Sequence, residues 1–134
     1  TGWVFDRIGN NDSVKWACKK NSANKYEYET LSWVGVNELW TYLQTNDSPS
    51  KAGTVYGISA TTSGYNASNV QVGDIVQFYN GNIWRHSVIV SEIRNGKPLC
   101  GAHTDNQSEK PLQDYINSYS NYRVAHIKNF ITSY

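Results

Sequence analysis

Apolar and polar positions are patterned most clearly between Val72 and Val90. Val72 to Tyr79 is an apolar run with β-branched and aromatic residues, and Ile83 to Val90 is a second such run. Asn80-Gly81-Asn82 between them accepts the φ > 0 conformations of a tight reversal, so this stretch is expected to be a β-hairpin. The second strand should continue through Ser91-Glu92-Ile93 to another two-residue turn signal, Asn95-Gly96. Pro98 to His103 then returns as a third strand, and Tyr122 to Ile127 reads as a closing strand. One position breaks the apolar pattern. His86 stands between Trp84-Arg85 and Ser87-Val88-Ile89-Val90. By local sequence it is either a satisfied strand histidine or a general base at the lip of a cleft, since imidazole titrates near neutral pH.

Helical spacing is best from Thr30 to Gln44, where Trp33, Val36, Leu39, Trp40 and Leu43 fall on one face. Ser32 or Thr30 can cap it, and Pro49 follows its end. A second, less periodic helix is expected from Val14 to about Tyr28, capped by Asp12 or Ser13, and a third from Leu112 to Tyr119. Residues 45–69 are a long polar connection in which Thr54 to Ser59 alternates weakly, as an edge strand does. No internal repeat is visible. The expected fold is α+β, with one main helix packed on a mostly antiparallel meander sheet of four or more strands in a single domain over residues 1–134.

Composition changes this picture little but removes several functions. Hydrophobic residues make up 39% and aromatic residues 13% of the 134, which supports a packed core. A net charge of +1 with 17% charged residues leaves no basic stripe for nucleic acid. No apolar run is long enough to span a membrane. Asn, Ser, Thr and Tyr carry the polar weight, as suits a secreted or cell-surface protein. Asn-x-Ser triplets begin at Asn11, Asn46, Asn66 and Asn106. The opening Thr1 to Asp6 is not a signal peptide, and its apolar character is that expected of a chain beginning inside a domain.

The candidate chemistry lies on the strands. Pairing across Asn95-Gly96 gives paired residue numbers that sum to about 191, which brings His86 close to His103 or to Asp105 and Asn106 across the ladder. That is the arrangement a base and its orienting partner need. His86, Val88 and Val90 share a face, while Ser87 points away and is a poor nucleophile. His126 has no such neighbour in this reading and is taken as structural. No His-x-His or Glu-x-x-His spacing supports a metal site, and no cofactor is implied. Cys18 and Cys100 lack the Cys-x-x-Cys spacing of a zinc site. They could be paired, free and buried, or include a nucleophile. Cys100 reads as a packed thiol, and Cys18 as the one possible thiolate, if it lies near a helix start.

These residues carry a resemblance. Gly73-Asp74-Ile75-Val76-Gln77-Phe78, Trp84 to Val90, Ala102-His103-Thr104-Asp105-Asn106, Pro111-Leu112 and Arg123 to Ile127 resemble, in order, the C-terminal half of the putative amidase domain family, among the papain-like cysteine amidases and peptidases. Ser32 to Leu43 resembles that family's Ser-Trp helix, and Gly2 to Asp6 the segment before it. The resemblance implies a papain-like fold, with His86 as the catalytic base and His103 or Asp105 as its orienter. Asp74 matches the Gly-Asp before the hairpin and reads as a turn residue. The family's nucleophile lies in an Asp-Cys-x-Asn-Phe motif at a helix N-terminus, where the helix field lowers the thiol pKa. No such motif occurs in these residues, and residues 7–30, with Cys18, read as an insertion.

The expected function is therefore an amide-bond hydrolase of the papain-like cysteine type acting on peptide or peptidoglycan. This chain would supply the histidine half of the site and be inactive alone, with an N-terminal segment or second chain bringing the nucleophile. A secreted binding module for carbohydrate or protein, using its ten Tyr and five Trp, is the alternative. A complete Cys18-His86-His103 triad is a third.

Overall fold

The computed structural model describes residues 18–29, 35–45, 58–102 and 109–130. The chain divides into two compact units, Thr1–Thr61 with Lys128–Tyr134, and Thr62–Ile127.

In the first unit, β1 (Cys18–Lys20) and β2 (Tyr26–Glu29) form an antiparallel ribbon in which Cys18 pairs with Glu29. A helix was expected over Val14 to Tyr28, so from Cys18 onward this is a correction. The reason is local. Asn21 Oδ1 accepts hydrogen bonds from the backbone N–H of Ala23 at 2.9 Å and Lys25 at 3.0 Å, which closes a turn in place of a helical ladder. Asn24 adopts φ +60°, a conformation Asn tolerates well. Helix α1 (Val36–Thr45) follows, overlapping the expected Thr30–Gln44 and ending one residue beyond it, with Tyr42 and Leu43 buried. Residues 30–34, and so Trp33, lie outside the described residues. Helix α1 packs on β3 (Ile58–Thr61); of the expected edge strand Thr54–Ser59, residues 54–57 lie outside the described residues.

The second unit contains the predicted hairpin, β4 (Ile75–Tyr79) and β5 (Trp84–Arg94). Asn80 Oδ1 accepts from the N–H of Asn82 and of Ile83, each at 2.9 Å, and Gly81 takes φ +95°. The Asn95-Gly96 turn has both residues at positive φ, +52° and +75°, as a type I′ hairpin turn requires. It leads into β6 (Lys97–Gly101). The expected β5–β6 pairing holds from Arg94↔Lys97 to Glu92↔Leu99, then a bulge at Ser91 shifts it by one residue, giving Val90↔Cys100. Next come β7 (Lys110–Pro111), helix α2 (Leu112–Ser118) and β8 (Asn121–Phe130).

Within the second unit the strand order is β8-β4-β5-β6-β7. Strand β8 does not extend a meander. It returns to pair with the free side of β4, from Ile75↔Ala125 to Tyr79↔Asn121. The core of this unit joins Val76, Phe78, Val88, Val90, Cys100 and Val124 of the strands to Leu112 and Tyr115 of α2. The seven-residue α2 is thus the helix on this core, whereas α1 belongs to the first unit. The expected papain-like α+β arrangement, with one main helix packed on a meander, is therefore overturned. The described architecture is sheet-rich, eight strands with two short helices, because the backbone edge of β8 pairs with β4 and does not extend the run beyond β6.

Candidate active site

His86 sits on β5 directly opposite Phe78 of β4. Its side chain is half-buried and shares a face with buried Val88 and Val90, as period-2 alternation predicts. Helix α2 and the residue after it build the wall beside the imidazole. Tyr115 lies 5.5 Å from the imidazole centroid with its plane tilted by 32°, and Tyr119 lies 6.3 Å away and nearly parallel, at 10°. Phe78 stacks on both tyrosines, at 5.4 and 5.2 Å. The ammonium of Lys110 stands 4.4 Å over the Tyr115 ring. Packing against these two rings restricts how the half-buried imidazole can turn.

Ser87 lies on the opposite face, as expected of the next residue in a strand. Its hydroxyl accepts from Gln77 Nε2 at 3.0 Å. Gln77 is fully buried, and its Oε1 accepts from Arg123 Nε at 3.0 Å and Nη2 at 2.7 Å. The Arg123 guanidinium rests 3.9 Å over the Trp84 ring, a cation–π contact. Burial pulls Arg123 down to about 10, so it remains charged near neutral pH. The polar atoms of this group satisfy one another across β5, β4 and β8.

Asp74 and His126 depart from expectation. Asp74 does serve the turn, its Oδ2 accepting from the N–H of Gln71 at 2.8 Å. It is also only 1% exposed, with Oδ1 2.9 Å from His126 Nδ1 and 3.2 Å from the N–H of Ile127. His126, expected to have no such neighbour, is therefore paired with a buried carboxylate and stacked on Tyr65 at 4.3 Å. The sequence signal was parity. Position 74 continues the inward face of β4, and position 126 that of β8, so the two meet where the strands pair.

His103 and Asp105 lie outside the described residues. Cys18 begins strand β1 and not a helix. Cys100 is a free, fully buried thiol, and burial pushes it up to about 11. It is unsuited to be a nucleophile near neutral pH. Among the described residues, no three His, Cys, Asp or Glu side chains are grouped to hold a metal ion. No described helix is long and apolar enough to cross a membrane.

A family profile with the description Putative amidase domain matches residues 2–127, nearly the whole chain, and the chain belongs to that family. The activity class the family indicates is amide hydrolysis. No curated protein and no solved structure matches the chain.

Proposed function

We propose that this domain serves an amide hydrolase of the cysteine type acting on peptide or peptidoglycan, with His86 as its general base. The observation that carries this reading is the position of His86: it faces the aromatic wall on β5 within a chain matched by an amidase family over residues 2–127. In the proposed reaction His86 takes the proton from a thiol, the thiolate attacks the amide carbonyl, and the imidazolium returns the proton to the leaving amine. Water then hydrolyses the acyl-thiol intermediate with His86 again as base. His103 or Asp105 orients the imidazole. The thiol comes from an Asp-Cys-x-Asn-Phe segment or chain outside these residues, so the 134 residues by themselves should be inactive. We further propose a secreted or surface location, where peptidoglycan or peptide substrates are met.

The test is amine release from peptidoglycan and from simple peptide amides by the whole gene product. His86→Ala should lower kcat by about 10²–10⁴-fold, the usual worth of a positioned base. Iodoacetamide should abolish the activity. Undiminished turnover in His86→Ala rules His86 out as the base, and turnover that resists thiol alkylation rules out the cysteine type.

A further inference from the structure

We propose that Tyr115 and Tyr119 are positioning residues for His86, acting by stacking. The inference rests on His86 being the base. A histidine ring turns about a broad, nearly two-fold torsion, so a base on a strand needs something to stop the imidazole from turning. Beside His86 stand two flat faces one helical turn apart. The near-parallel Tyr119, at 10°, and the tilted Tyr115, at 32°, restrict the ring from different directions.

The wall is itself fixed. Tyr115 is 2% exposed in the core, and its ring also carries the Lys110 ammonium. Tyr119 is the C-cap of α2, where the backbone leaves the helix for an extended conformation at φ −120° and ψ 158°. Its ring is held by Phe78, the residue directly across the ladder from His86. One hairpin residue pair, Phe78 and His86, therefore meets one pair of tyrosines a turn apart, Tyr115 within α2 and Tyr119 at its C-cap. An aromatic wall fixes the plane of an imidazole without supplying a charge, so it positions the base and leaves its proton affinity to other groups.

Tyr119 is the residue to test, being half-exposed where Tyr115 is core. Proton NMR on the wild-type chain should give nuclear Overhauser contacts between the His86 and Tyr119 rings. Tyr119→Leu should move the His86 ring-proton shifts by removing the ring current of Tyr119 beside them. The His126 ring protons, stacked on Tyr65, should stay in place as an internal control. Tyr119→Phe should keep the wild-type His86 shifts. In the active gene product, Tyr119→Leu should lower kcat by about 10-fold or more with KM little changed, as small misplacements of a reacting group do, and Tyr119→Phe should rescue it. Absence of the wild-type contacts, or His86 shifts unmoved by Tyr119→Leu, overturns the proposal. So does an unchanged kcat in that variant. If His86→Ala keeps full activity while the NMR results hold, the base assignment has failed and the stacking has not.

Discussion

At the scale of single residues, Asp74 has three obligations. Its buried carboxylate accepts from Gln71 N–H, Ile127 N–H and the His126 ring, at 2.8, 3.2 and 2.9 Å. Asp74→Ala would leave all three donors without this acceptor. We expect it to cost about 2–5 kcal/mol, since each donor left unsatisfied costs about 1–3 kcal/mol. Asp74→Asn keeps an acceptor oxygen and should cost about 1–3 kcal/mol. Urea unfolding measures both, and a loss below about 1 kcal/mol for the alanine variant contradicts this account. Cys100 makes a pH prediction. Burial raises its thiol from 9.0 to about 11, so the folded state holds a proton that the unfolded chain gives up sooner. This contribution to stability is complete below pH 9.0 and is lost as pH rises toward about 11. The denaturation midpoint should fall over that window in wild type and fall less in Cys100→Ala. Near neutral pH, iodoacetamide should label Cys100 only after unfolding, as mass spectrometry can show.

At the scale of elements, the two hairpin turns differ in what surrounds them. A Cβ at Gly96 would meet nothing within 4 Å, so Gly96→Ala should cost only the left-handed backbone penalty, about 1–2 kcal/mol. A Cβ at Gly81 would also stand 3.3 Å from Ser120 Oγ. Gly81→Ala should therefore lower the thermal midpoint further than Gly96→Ala, and the reverse order would show that the β8 side of that turn yields readily. These turns were legible because a positive φ selects its residue types locally. The ribbon of β1 and β2 was not, since Val14 to Tyr28 has no firm periodicity and one Asn21 side chain redirects the backbone. Strand β5 was legible in its faces. The bulge at Ser91 was not, because a bulge is decided by two strands together.

At the scale of the whole molecule, β4 is bonded on both sides, to β5 and to β8, while β7 is a two-residue edge. Hydrogen exchange should find the amides of Val76 and Phe78 among the slowest in the chain and that of Lys110 among the fastest. Fast exchange at Phe78 would contradict the central place of β4. The strand order itself was not in the sequence pattern. Tyr122 to Ile127 reads equally well as a strand added beyond β6 or as one returning to β4, because alternation fixes a strand's faces but not its neighbours.

The sequence by itself determined the β4–β5–β6 run, its two turns, the extent of α2, the half-buried face of His86 and membership of an amidase family. All of these depend on residues close in the chain or on motifs in order. Tertiary structure decided the place of β8, the Asp74–His126 pair across 52 residues, the Gln77–Arg123 contact across 46 and the tyrosine wall beside His86. Each of these joins side chains far apart in sequence. Local propensity makes each group available, but only the packing of the sheet selects which groups meet.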